Sequence, residues 1–171
     1  MSRLVGILAL SIGLAGCGAI HGSPQDSAET APLRAELQFS AYGVPHITAD
    51  DYEGAGFGIG WASAKDYACT MLEEVVSMRG ERSMFFGGEN TLFDVISLPP
   101  TSYTNLASDT YHRWLFDAAA AQFQLEGLDP DSLAITEGFV EGFNQWVEDH
   151  PDKLAESCRG ADWVRPITMT D

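Results

Sequence analysis

The chain has 171 residues, with 25 acidic side chains against nine basic ones and a formal net charge of −16. That length suits one domain with room for a buried core, and the apolar and aromatic content is that of a globular chain, not a disordered one. So strong a polyanion repels phosphate backbones, which argues against nucleic acid as a partner. The acidic surface reads as a solvated one, with a bound cation or a basic partner chain as the alternatives.

Residues 1–16 have the form of a signal peptide. Arg3 supplies a minimal basic start, and Leu4 to Leu14 is an apolar run too short to span a bilayer as a helix. Leu14-Ala15-Gly16-Cys17 then matches a bacterial lipobox, so Cys17 is the expected lipid attachment site. An ordinary cleavage near Ala15 or Gly16 is the alternative. A lipid plus N-acylation supplies more than one chain, enough for stable anchoring. The expected location is therefore exported, periplasmic or extracellular, and anchored to a bacterial membrane. Residues 17–33, rich in Gly, Ser, Pro and Ala and without apolar periodicity, read as a flexible linker.

Ala35 to Ser40 alternates as a strand does. Tyr42-Gly43-Val44-Pro45 is a turn, and His46-Ile47-Thr48 is its return arm. A lone His46 after proline invites a catalytic role, but a hydrogen-bonded structural histidine in a hairpin fits better. Asp50 or Asp51 caps the next helix. Four glycines lie inside it: Gly54, Gly56, Gly58 and Gly60. Each costs a helix about 1 kcal/mol relative to alanine, so something must offset them. Gly56, Gly60 and Ala64 form one ridge, and Gly54, Gly58 and Ala62 a second, together a smooth face for close backbone approach. No phosphate loop fits: no Gly-Lys-Ser/Thr follows, and no G-x-G-x-x-G register closes. The flanking charges Asp51, Glu53, Lys65 and Asp66 exclude a membrane dimer motif.

Ser63-Ala64-Lys65-Asp66 has the form of a capping box, closing one helix and opening another that runs to Arg79 and stops at Gly80. Tyr67, Met71, Val75 and Met78 are its apolar stripe. From Gly87 to Asn105 the Gly-Gly and Pro-Pro pairs predict a loop, docked by Phe93, Val95, Ile96 and Leu98. Ala107 to Leu125 reads as one helix. Asp129-Pro130 restarts the chain in another, with Leu133, Phe139, Phe143, Trp146 and Val147 on one stripe and an end near His150. Lys153 to Asp171 reads as irregular.

With Cys17 lipidated, Cys69 and Cys158 remain. Exported together, they read as a disulfide in preference to two free thiols. No zinc ligand cluster, G-x-S-x-G, H-E-x-x-H or EF-hand loop occurs, so no metal or cofactor is expected. The four histidines are scattered. Spacing alone leaves a Ser-His-Asp triad open, and nothing nominates one.

Several of these segments together resemble the alpha-chain part of the penicillin acylase family of N-terminal-nucleophile amidases. They are Tyr42-Gly43-Val44-Pro45-His46-Ile47, then Gly56 to Asp66, and then Gly142-Phe143-Asn144-Gln145-Trp146. Asp66-Tyr67-Ala68-Cys69, Gly80-Glu81-Arg82-Ser83 and Cys158 to Pro166 are similar to its acyl-homoserine-lactone and aculeacin acylase branch. The resemblance implies an α+β, mostly helical fold, an N-terminal β-hairpin followed by packed helices, as part of an αββα sandwich. Residues 34–171 are then an alpha-chain-like domain, truncated at its C-terminus. It also implies a beta chain partner whose terminal serine attacks an N-acyl small-molecule substrate, with its own α-amino group as base. The glycine face would pack against that beta chain. No catalytic residue carries over to this sequence. Two hypotheses follow: part of an exported amidase, inactive alone, or a non-enzymatic lipoprotein module derived from an acylase.

Overall fold

The structure, a computed structural model, describes residues 35–94, 101–115 and 118–171. It opens with an antiparallel hairpin, β1 (Ala35–Phe39) and β2 (Pro45–Ala49), in which Leu37 faces Ile47 and Gln38 faces His46. The turn needs Gly43, whose φ is +80°, a value side chains disfavour. The Ser40 hydroxyl oxygen accepts from the Val44 amide (3.1 Å) and fastens the turn from within.

Helix α1 (Tyr52–Met78) starts at Asp51, whose carboxylate accepts the Gly54 amide at 2.7 Å. It continues through the expected capping box. The Ser63 hydroxyl meets the Tyr67 hydroxyl (3.4 Å), and Lys65 pairs with Asp66 (3.0 Å). The helix bends one residue later, at Tyr67, which is non-helical (φ −151°, ψ 36°). The expected break is therefore present as a kink, and packing holds both stretches together: Ala64, Ala68 and Leu72, on both sides of it, are buried in one core with Phe143 and Trp146. Of the expected apolar stripe, Val75 is buried and Met71 and Met78 pack against that core, but Tyr67 is half exposed.

Helix α2 (Arg82–Phe86) follows, and then a second hairpin, β3 (Thr91–Asp94) with β4 (Thr101–Thr104), where a loop was expected. Each strand is four residues of Thr, aromatic and Leu or Ser character, which suits a pleated edge. The neighbouring Gly-Gly and Pro-Pro pairs masked them. Val95, Ile96 and Leu98, and the Phe93 side chain, lie outside the described residues. The helix expected from Ala107 is described as α3 (Asn105–Leu115) and α4 (Ala118–Glu126), on either side of residues 116–117, which lie outside the described residues. α3 begins two residues early because the Thr104 hydroxyl oxygen accepts the Ala107 amide (3.1 Å), an N-cap.

Helix α5 (Pro130–Asp149) starts as its sequence requires. The Asp129 carboxylate accepts the amides of Asp131 (3.1 Å) and Ser132 (3.0 Å), with Pro130 at the first position. The remaining residues form no helix or strand, but they are pinned. Asn144 makes two bonds to the Ile167 backbone, one donated and one accepted, both 2.9 Å. Phe143 and Cys158 have no exposed surface, and Leu72 and Val76 almost none.

The glycine face corrects a further expectation. Its partner lies within this chain. A Cβ on Gly56 would overlap the Ile135 carbonyl, and one on Gly60 would overlap the Phe139 carbonyl. α5 answers in kind: a Cβ on Gly138 would strike the Glu53 carbonyl, and one on Gly142 the Phe57 carbonyl. Both helices therefore place glycines four residues apart against the other's backbone. The numbers rise together along the contact, so the helices run parallel. The second ridge meets the first hairpin, with Gly58 against Ile47 and Ala35. Close contact along this length supplies the dispersion energy that offsets the helix cost of the glycines.

Candidate functional site

Cys17 lies outside the described residues, as do all of residues 1–34. Cys69 and Cys158 form a disulfide with Cα atoms 5.8 Å apart. It joins α1, just past the bend, to the C-terminal segment. Beside it, a cleft of about 230 Å³ is lined by Lys65, Tyr67, Cys69, Trp146, Lys153 and Leu154. Asp66 and Thr70 also line it, with the Asp66 carboxylate taken up by Lys65 (3.0 Å).

The three histidines among the described residues do not assemble a relay. His46 is exposed on β2, and no side-chain hydrogen bond joins it to another described residue. The strand places its ring outward, alternate to Ile47. His112 Nδ1 lies 2.9 Å from the Ser108 carbonyl and 3.2 Å from the Ser108 hydroxyl, but that hydroxyl belongs to a residue only 1% exposed. No substrate reaches it. His150 ends α5 as expected: its Nδ1 lies 3.0 Å from the Trp146 carbonyl, and its ring stacks on Trp146 with centroids 5.1 Å apart. Among the described residues, no group of three or more His, Cys, Asp or Glu is placed to hold a metal ion. No described helix is long and apolar enough to cross a membrane.

The chain's principal polar construction was not singled out from the sequence. Arg82 is buried at the start of α2, and each of its three guanidinium nitrogens donates a hydrogen bond. It donates to Asn105 Oδ1 (3.0 Å), to the Ser77 hydroxyl (2.9 Å) and to Glu73 Oε1 (2.9 Å). Asp109 of α3 accepts the amides of Arg82 and Ser83, both at 2.8 Å, and so caps α2 from outside. Glu81, the residue in the N-cap position, makes no such bond. Asn105 passes the network on, donating to the Gly87 carbonyl (2.8 Å). Thus α1, α2 and α3 are joined by one buried arginine with Glu73, Ser77, Asn105 and Asp109. The signal was present in α3: Asn105, Ser108 and Asp109 share one helical face, and the large apolar residues sit on the other.

At the end of α1, Arg79 grips Asp171 through Nε (2.7 Å) and one terminal nitrogen (2.6 Å), and that nitrogen also donates to the Pro166 carbonyl (2.9 Å). The hydrogen bond from Arg79 to Asp171 raises the guanidinium pKa above its ordinary value. Burial pushes the Asp171 carboxyl up, but bonds from Arg79 and from the Thr168 amide and hydroxyl outweigh it and hold the group below its ordinary value. Arg165 pairs with Glu81 and lies over the Phe85 ring at 5.3 Å. These contacts place the C-terminal segment; none presents a reactive atom.

Most of the chain is similar to known proteins. A family described as penicillin amidase matches residues 34–168. The chain is 37% identical over 151 residues to the acyl-homoserine lactone acylase PvdQ of Pseudomonas fluorescens, covering 88% of this chain and 18% of that protein. It is 34% identical over 137 residues to the aculeacin-A acylase of Actinoplanes utahensis, covering 79% of this chain and 17% of that protein. Among solved structures, a thermostable penicillin G acylase from Alcaligenes faecalis matches with a TM-score of 0.63 and 25% identity, covering 80% of this chain and 67% of that chain. The chain thus spans less than a fifth of the length of the curated relatives it matches. From the hairpin to the segment after α5, in sequence and in fold, the chain belongs to the penicillin amidase family.

Proposed function

We propose that this chain is the N-terminal portion of an exported amidase that hydrolyses the linear amide bond of an N-acyl substrate. An acyl-homoserine lactone, a lipopeptide and a β-lactam side chain are the candidate substrate classes. The family match across residues 34–168 carries the reading. Support for a second chain comes from the coverage figures: residues that make up 67% of one chain in the solved penicillin G acylase make up only 18% of a full-length relative. In this reading a beta chain supplies the nucleophilic serine. Its own α-amino group, with an ordinary pKa near 8, can take the hydroxyl proton without help from a histidine. Backbone amides of that chain would hold the oxyanion. Residues 34–171 contribute the glycine-locked helix pair and the α2–α3 platform.

The lipobox supports export and anchoring at Cys17, with residues 17–33 as tether. Cys17→Ala should move the protein from the membrane to the soluble fraction, and unchanged partition sinks the anchor. For the activity, the full-length gene product is expressed and assayed for free amine across a series of acyl lengths. Release that depends on the beta-chain serine is expected, with none from the 171-residue chain alone. A matured, serine-ended second chain with no amidase activity on any of the three substrate classes would overturn the assignment.

A further inference from the structure

Helix α3 is built inside out. Its polar residues Asn105, Ser108 and Asp109 are buried, and its large apolar residues face solvent: Trp114 is 79% exposed, Tyr111 55% and Leu106 54%. A surface helix ordinarily does the reverse. Beside it Met84 of α2 is 65% exposed. Between the two helices lies a cleft of about 250 Å³ with Met84 and Leu106 among its walls and Glu81, Ser83, Asp109, Thr110 and Arg113 as its polar lining. Farther along the chain, Phe123 of α4 is exposed as well.

We propose that the outer face of α3, with Met84 and the adjoining cleft, is the docking surface for the beta chain. The inference rests on the reading of this chain as one part of a two-part amidase. The other close-packing face, the glycine seam of α1, is already filled by α5. A partner several times larger than this chain is implied by the relatives' length, and it must cover some part of it. Charge argues against the two other occupants. A second copy brings one chain of net charge −16 against another, and an anionic bilayer surface repels the same charge. Exposed Trp and Tyr on a stiff support are the residues that dominate protein interfaces. The support here is stiff because the Arg82 network fixes α3 to α1 and α2 through its polar side.

The test uses the full-length gene product with the photoreactive residue p-benzoylphenylalanine in place of Trp114, irradiated after maturation. A covalent product between this chain and the serine-ended chain is expected. Products with lipid, with a second copy of this chain, or with nothing, while the second chain is made and copurifies, overturn the surface. If no second chain is made, the two-part reading fails and this proposal falls with it. A second variant, Tyr111→Asp with Trp114→Asp, should reduce recovery of the second chain by roughly tenfold or more. It should leave the far-UV circular dichroism and disulfide of this chain unchanged. Undiminished recovery would also overturn the proposal.

Discussion

Two helical regions of this molecule solve opposite problems. Along α1 and α5, glycines four residues apart let two backbones meet, and nothing large is needed between them. Along α3, the buried side is Asn105, Ser108 and Asp109, held by hydrogen bonds, and the bulk is turned outward. The first region is complete within the chain, since each glycine has its partner backbone in place. The second is complete only on its polar side. Apolar surface can therefore be absent from a contact that is nonetheless tight, and present where no contact has yet formed. What decides is which side of the helix the rest of the chain occupies.

This contrast can be broken most severely at the link between α1 and the C-terminal segment. Cys69→Ala with Cys158→Ala opens a loop of 89 residues and should lower stability by about 4 kcal/mol on the chain-entropy account. Urea denaturation of the oxidised wild type against the variant reads it; equal midpoints would mean that the bond adds nothing. Next in size, Gly60→Val drives a side chain into the Phe139 carbonyl and should cost about 3 kcal/mol. Solvent-exposed Gly127→Ala serves as its control, with a change within about 1 kcal/mol. If both glycines tolerate substitution alike, the seam is looser than described.

On the other side of the comparison, Asp109→Ala leaves the Arg82 and Ser83 amides without their acceptor and should cost about 2–3 kcal/mol. Amide hydrogen exchange at Ser83 should quicken most, and unchanged protection there would remove Asp109 as the outside cap. The Arg79–Asp171 pair is a smaller contributor, about 1–2 kcal/mol. Its sign with pH follows from the lowered Asp171 carboxyl. The contribution is fully present above the unfolded carboxyl pKa, about 3.9, and is lost as pH falls through the lower folded value. Asp171→Asn should flatten that part of the acid-unfolding curve; an identical curve would dismiss the pair. The smallest effect sharpens the contrast: Trp114→Ser should change the stability of this chain by no more than about 0.5 kcal/mol. A large loss would mean that α3 is packed on its apolar side after all.

Local chemistry made much of the fold legible. Gly43 and Pro45 marked the first turn, Asp51 the start of α1, Gly80 its end, and Asp129-Pro130 the start of α5. Each acts through a neighbour no more than a few residues away, so its effect can be read in order along the chain. The second hairpin was hidden because four-residue strands beside Gly-Gly and Pro-Pro leave too little alternation to detect. The capping box at Ser63–Asp66 marked a break that the structure places one residue later, at Tyr67, while the buried run of Ala64, Ala68 and Leu72 holds both stretches on one core.

The sequence by itself determined the hairpin, the helix starts, the presence of a glycine face and the resemblance to an amidase family, because backbone sterics and capping are short-range. It also showed that no catalytic set was assembled by motif. Tertiary structure alone decided what the glycine face meets, namely α5 and the first hairpin. It alone joined Arg82 to Glu73, Ser77 and Asn105, and turned the aromatic side of α3 outward. Those outcomes depend on contacts between residues far apart in the chain. Which of two amphipathic faces is buried depends on the partner that reaches it and not on the face's own composition.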